Sequence, residues 1–185
     1  LDKKIFIAAG AALLLGAPFF WTMLKPYQQR RVLVLLGQGD ARNERYQIEQ
    51  AKIAIGSGGL TGKGFLQGTQ NKFSFVPEDH SDFIFAVIGE ELGLLGTTLV
   101  VVLFLIFLWK GFSVAIKTRD GLSRLIVSGV TIWIAVQAMV NMGSAIGVFP
   151  VVGVPLPLVS YGGSSLISTL VAVALMLRVV DKSSR

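Results

Sequence analysis

The chain has no cysteine among its 185 residues, which excludes a disulfide framework, a thiolate metal site and a cysteine nucleophile. Charge is scarce too: 15% of the residues are Asp, Glu, Lys or Arg, where soluble domains carry about 25%. No charged residue at all occurs from position 125 to position 177. A chain this apolar does not stay solvated as a disordered polymer, and a water-soluble globule is excluded by the same shortage of charge. No internal repeat is present. The first apolar segment is too long, and too poorly followed by small residues, to be a signal peptide. Leu1 in place of Met reads as one piece of a longer or processed chain. The net charge of +6 is no argument for nucleic acid, because membrane proteins carry surplus Lys and Arg as topology signals and for anionic lipid.

What is present is long apolar runs. A helix crosses the hydrocarbon core with about 20 residues, since roughly 30 Å must be covered at 1.5 Å per residue and every amide must find its partner within the segment. Four stretches meet this, at about 5–24, 83–109, 125–149 and 164–180. The expected fold class is therefore all-α: a polytopic membrane protein with four transmembrane helices, a large loop at about 25–82, and a re-entrant or broken loop at about 150–163. That last segment holds Pro150, Pro155 and Pro157 with Gly153, Gly162 and Gly163, which no single helix accommodates.

Four crossings put both termini on one side. Lys3 and Lys4, then Lys110, Lys117, Arg119 and Arg124, then Arg178, Lys182 and Arg185 flank the same side, and no basic residue lies between the third and fourth spans. The expectation is cytoplasmic termini and an extracytoplasmic large loop. Within the loop, Tyr46–Ile55 places Ile48, Ala51 and Ile55 at helical spacing, which predicts a short amphipathic helix on the membrane surface. Arg30 and Arg31 precede another apolar run, Val32 to Leu36, too short to span.

The glycine-rich stretch Gly56–Gly64 is not a nucleotide loop. A Walker A motif needs glycine where Ser57 stands and Ser or Thr where Gly64 stands, and a dinucleotide fingerprint needs glycine at Thr61. Two readings remain: a turn whose backbone N–H groups, beside Lys63, hold an anion, or a C-cap and turn after the amphipathic helix.

Pro77-Glu78-Asp79-His80-Ser81-Asp82 concentrates three carboxylates and the single histidine directly before a span. Ionisable groups at a membrane are expensive and mark function by default. The readings are a general-base carboxylate, a divalent site for Mg²⁺ or Mn²⁺ built from Glu78, Asp79, His80 or Asp82, a Ser81-His80-Asp82 triad, which neighbours in sequence do not form, and simple capping of the span. Glu90 lies about 12 Å of helical rise beyond Asp82, too far to share a proton, so Glu90 and Glu91 are expected to bond helix ends, line a polar cleft or sit at the interface. Ser160, Gly162 and Gly163 open the fourth span with residues that suit an anion at a helix N-terminus or a tightly packed cap. Gln137, Asn141 and Ser144 offer hydrogen bonds inside the third span.

Three ordered segments carry a resemblance: Ile53–Gly64, Pro77–Gly96 (PEDHSDFIFAVIGEELGLLG) and Pro155–Ser165 (PLPLVSYGGSS). They resemble the signature blocks of the SEDS proteins, the shape, elongation, division and sporulation family, and Gly64–Gln70 is more similar to the RodA branch than to FtsW. The resemblance covers essentially the whole chain, matching the last four of the family's ten spans with its large extracytoplasmic loop. It implies a peptidoglycan glycosyltransferase of the bacterial cytoplasmic membrane that polymerises lipid II, the undecaprenyl-pyrophosphate-linked disaccharide-peptide, beside a class B penicillin-binding protein. By position it assigns the catalytic carboxylate to Asp82; Ser81 stands where the family more often has Thr. Lys63, Glu78, His80, Ser160, Gly162 and Gly163 are candidate substrate-binding residues, and Lys63, Arg30, Arg31 or a bound Mg²⁺ or Mn²⁺ are candidates for the charge on the leaving diphosphate. The rival classes are a lipid II flippase and a non-catalytic scaffold for the penicillin-binding protein.

Overall fold

The computed structural model of the chain describes residues 21–35, 42–68 and 82–184. The regular structure among those residues is helical, with no strand among them. Two shorter helices, α1 (Pro26–Leu35) and α2 (Arg42–Ser57), precede three long ones, α3 (Ile84–Lys117), α4 (Gly121–Ala145) and α5 (Gly163–Ser184). Among the described residues, three segments are long and apolar enough to cross a membrane: Ile84–Lys117, Gly121–Ala145 and Gly163–Val180. Of the first expected span, all but residues 21–24 lies outside the described residues.

The span ends differ from the hydropathy boundaries, for local chemical reasons. α3 runs past Trp109 to Lys117, because a lysine is a good helix former whose stem can lie along apolar surface; the Lys110 ammonium sits 5.4 Å from the Trp109 ring centroid, a cation–π distance. The connection to α4 is only 118–120. α4 begins four residues earlier than its apolar run, because the Asp120 side chain accepts a hydrogen bond from Ser123 N–H at 3.1 Å and so caps the first turn. It stops at Ala145 rather than 149, where Gly147 takes φ +75° and the N–H groups of Val148 and Phe149 both turn back to the Gly143 carbonyl. Residues 150–162 are non-helical, the broken segment expected between the last two spans.

α3 and α4 pack through small residues, which lets helix backbones approach where no hydrophobic force separates protein from lipid. Gly111 faces Thr131 so closely that a Cβ would lie 2.4 Å from its hydroxyl oxygen. Thr131 instead donates back to the Val127 carbonyl at 2.7 Å, so its polar atom is satisfied within its own helix. Ala115, Val127 and Met176 bring α3, α4 and α5 together towards one end. The outward faces stay apolar, with Leu99, Leu105, Ile116, Leu125 and Ile132 exposed.

The other core lies at the head of α3. Ala51 and Ala54 of α2 pack on Phe83, Phe85 and Ala86, with Ala145 of α4 completing the cluster. The amphipathic helix expected from Ile48, Ala51 and Ile55 is therefore real, but its apolar stripe is spent on protein rather than on a membrane surface: Ala51 and Ala54 are fully buried. Small alanines permit that close approach of α2 to α3.

α3 is not continuous. At 34 residues a straight helix would be about 51 Å long, well beyond a bilayer core. Gly93 breaks it with φ 66° and ψ −159°, a backbone that only glycine adopts without strain. In an unbroken helix the N–H groups of Leu94 and Leu95 would donate to the carbonyls of Glu90 and Glu91. Here Leu94 N–H goes to Gly59 O at 2.9 Å and Leu95 N–H to Leu60 O at 3.2 Å, while the two carbonyls accept from Lys63 N–H and Gly64 N–H, each at 3.0 Å. The turn 59–64 is thus inserted into the gap, replacing both lost rungs. Such an exchange is what lets a helix break where unsatisfied amides would each cost several kcal/mol.

Candidate active site

Asp82 stands directly before the head of α3. It is half-buried, and among the described residues no hydrogen bond reaches its carboxylate. The N-cap position belongs to Phe83, whose carbonyl takes the first helical amides, Ala86 N–H at 2.8 Å and Val87 N–H at 3.2 Å. Capping, one of the roles open to Asp82 on sequence grounds, is not what its side chain does here. Its backbone is tied down from the opposite direction. Asn141, 1% exposed on α4, donates through Nδ2 to the Asp82 carbonyl at 2.9 Å and to the Val154 carbonyl at 2.8 Å. Two carbonyl partners identify that amide atom as the nitrogen.

One side chain therefore joins the head of α3, the C-terminal end of α4 and the broken segment. The broken segment closes over the carboxylate: a Cβ on Gly153, which has φ +71°, would lie 3.4 Å from Asp82 Oδ2. Asn141→Leu keeps the volume but leaves two carbonyls without their donor, and is expected to lower stability by about 2 kcal/mol or more in equilibrium unfolding from detergent. Gln137 Oε1, one turn earlier on α4, is buried and takes no hydrogen bond among the described residues, so Gln137→Leu is expected to cost much less.

Beyond Ile84 opens a cavity of about 570 Å³ lined also by Ser160, Tyr161, Gly162, Gly163 and Leu166. Ser160 shapes its rim, accepting Leu156 N–H at 2.6 Å on its hydroxyl oxygen, which leaves the hydroxyl proton for another acceptor. Gly162 O takes the first α5 amide, from Leu166 at 2.9 Å. Leu158, at φ +63°, sits in a backbone region costing roughly 1 kcal/mol or more for a side chain. It lines both this cavity and a neighbouring apolar groove of about 250 Å³ against Val100, Phe104 and Phe107.

Of the residues singled out by sequence, Ser160, Gly162 and Gly163 share the cavity lining, while Asp82 stands two residues before the lining residue Ile84 and is not itself part of that lining. Glu78 and His80, with Asp79 and Ser81, lie outside the described residues, and among the described residues no three metal-ligating side chains converge. Lys63 is elsewhere: its Nζ lies 2.6 Å from Glu90 Oε1, with the Glu90 side chain 1% exposed. The amides beside Lys63 in the glycine turn are taken up within the protein. Gly62 N–H goes to Gly58 O, and Lys63 and Gly64 donate into the broken helix, so these amides are already spent. The Glu90 carboxylate bonds the Lys63 ammonium of the turn rather than a helix end, and the part Asn141 plays in tying the Asp82 backbone had no signal in the sequence beyond a polar residue in a span. The break had a visible signal: Gly58 and Gly62 repeat the four-residue spacing of Gly89 and Gly93. The two pairs meet, a Cβ on Gly58 falling 1.9 Å from Gly89 O and one on Gly93 falling 2.4 Å from Gly62 N.

Comparison with known proteins adds the family. The chain is 47% identical over 163 residues to the peptidoglycan glycosyltransferase MrdB of Escherichia coli strain K12, a match covering 85% of this chain and 44% of that protein. A solved peptidoglycan synthase complex that coordinates polymerization and crosslinking superposes with a TM-score of 0.74 at 32% identity, over 97% of this chain and 49% of that one. A mutant of Thermus thermophilus rod shape determining protein RodA matches with a TM-score of 0.57 at 38% identity, over 73% and 40%. The chain spans less than half the length of the curated relatives it matches. The family model for FtsW, RodA and SpoVE, described as cell cycle protein, matches residues 2–185, and with these relatives it establishes that the chain belongs to the FtsW/RodA/SpoVE family of multi-pass membrane proteins.

Proposed function

We propose that this chain supplies the reacting carboxylate of a peptidoglycan glycosyltransferase that polymerises lipid II into glycan strands for cell elongation, with Asp82 as general base. The observation that carries the reading is a half-buried Asp82 whose backbone is pinned by Asn141 while its carboxylate takes no hydrogen bond among the described residues. It stands two residues before the cavity-lining Ile84. The name of the MrdB relative supports the reaction class.

In the proposed reaction an acceptor sugar hydroxyl gives its proton to Asp82 as its oxygen bonds to the anomeric carbon of the donor. The bond from that carbon to the diphosphate oxygen breaks, and the diphosphate departs on its lipid with the electron pair. A diphosphate needs no general acid to leave, but its charge needs cations. Arg30 and Arg31, or a Mg²⁺ or Mn²⁺ ion, are the proposed sources. Ser160, Gly162 and Gly163 are proposed to border the head group at the cavity rim, with the polyprenyl chain remaining in lipid. The working orientation puts the Asp82 end on the extracytoplasmic face of the bacterial inner membrane, beside a class B penicillin-binding protein.

Because the relatives are about twice as long, activity is assigned to the complete protein, and the isolated chain is expected to be inactive. The complete protein with its partner, given purified lipid II, is expected to make glycan polymer. Transfer of lipid II across vesicle membranes without polymer would favour a flippase. Polymerisation by the partner alone, indifferent to Asp82, would leave only a scaffold.

A further inference from the structure

We infer that Lys63 and Glu90 are positioning residues: together they pin the glycine turn into the break of α3, and so set the angle of the helical leg that carries Asp82. The inference rests on the polymerase reading for its effect on rate, but the pin itself is a statement about structure. It removes Lys63 from the cations proposed for the substrate diphosphate.

The same two residues are joined twice. Lys63 N–H donates to Glu90 O at 3.0 Å, and Lys63 Nζ donates to Glu90 Oε1 at 2.6 Å. The Glu90 side chain is 1% exposed and that of Lys63 28%, so water does little to screen the pair and the ammonium is spent on a carboxylate. A Cβ added to Gly68 would lie 3.0 Å from Glu90 Oε2, so the chain leaving the turn passes over the same carboxylate.

What the pin holds is a hinge. Gly93 is the only residue of α3 with non-helical torsions, and glycine torsions are soft. The leg before it, 84–92, carries Phe85 and Ala86 into the core at the head and has Asp82 at its end. The angle between that leg and 94–117 is set by the inserted turn, through the four backbone bonds at Glu90, Glu91, Leu94 and Leu95. Asp82 is about 16 Å along the leg from Gly93, so a hinge rotation of about 4° moves it by about 1 Å. Misplacement on that scale can cost about 100-fold in rate.

The test uses the complete protein with its partner, in Lys63→Met, Lys63→Met/Glu90→Gln and Lys63→Cys/Glu90→Cys variants. This chain has no native cysteine, and the backbone bond holds residues 63 and 90 within reach of a disulfide. Hydrogen exchange is read at the Leu94 and Leu95 amides, and turnover and KM are read with lipid II. Lys63→Met is expected to speed exchange at both amides at least tenfold and to lower kcat at least tenfold, with KM within threefold of native. Pairing it with Glu90→Gln, which removes the buried charge, is expected to recover part of both. The oxidised double-cysteine variant is expected to regain protection and to come within about threefold of native kcat, and to lose both when reduced. Unchanged exchange in Lys63→Met overturns the pin whether or not the protein polymerises lipid II. Restored protection in the oxidised variant without restored turnover, with KM raised, makes Lys63 a substrate ligand and overturns the assignment. A native protein that makes no polymer defeats the proposed function alone, because the exchange measurement still decides the pin.

Discussion

Gly62→Ala is expected to destabilise the protein by about 3 kcal/mol or more, read as a lowered unfolding midpoint in detergent and as reduced accumulation in membranes. Two costs add. Gly62 has φ +79°, and a Cβ there would lie 2.0 Å from the Glu91 carbonyl oxygen and 2.6 Å from Leu92 N. Positive φ costs a side chain on the order of 1–2 kcal/mol, and forcing an extra carbon against backbone costs typically 1–3 kcal/mol more. The neighbouring atoms are main chain and have no rotamer to retreat into. If the turn shifts to relieve the clash, it withdraws the amides of Lys63 and Gly64 from α3, leaving two carbonyls of a broken helix without donors. Gly56→Ala is the control. That glycine lies within α2 with open space where its Cβ would go, so alanine is expected to be neutral or to add up to about 1 kcal/mol of helix stability. Equal behaviour of the two variants would mean that the turn is not seated in the helix break.

The parts of this fold legible in sequence are those where a membrane leaves the backbone no choice. A run without charge from 125 to 177, interrupted by three prolines, can only be two helices with a break. The helix ends were less legible because they are set by single contacts. Asp120 capping Ser123 N–H starts α4 before its apolar run does, and the helical tolerance of Lys110 carries α3 past the first charge. α2 could be read from the spacing of Ile48, Ala51 and Ile55, but what covers its stripe could not: an apolar face looks the same whether lipid or Phe83 and Phe85 lies against it.

The break at Gly93 is signalled only by the matched glycine spacings, which do not say that the two pairs meet. A single glycine in a 34-residue helix is usually tolerated at about 1 kcal/mol, and nothing adjacent to Gly93 in sequence says which of the glycines in α3 a turn will complete. Its partner, Gly62, is a tertiary neighbour. The candidate site divides in the same way. Asp82 is legible because a carboxylate directly before a span is expensive, and because its surrounding motif resembles a family block. Asn141 and Gly153, which fix and cover it, come from remote parts of the chain, and a lone asparagine in a span does not say which backbone it will hold.

The central claim is that the Asp82 carboxylate takes a proton in the reaction. Asp82→Asn keeps the size of the side chain, leaves the Asp82 carbonyl available to Asn141, and removes only the capacity to accept a proton as a carboxylate. Since the N-cap is Phe83 and no helix amide depends on the Asp82 side chain, the variant is expected to fold, insert and bind its partner like the native protein. Loss of a general base typically costs 10²–10⁴ in rate. The most direct measurement is therefore polymerisation of purified lipid II by the complete Asp82→Asn protein with its partner, with insertion verified and lipid II binding measured separately. The expected result is binding within a few-fold of native and turnover reduced by about 10² or more; native turnover in a folded, inserted Asp82→Asn protein would contradict the account.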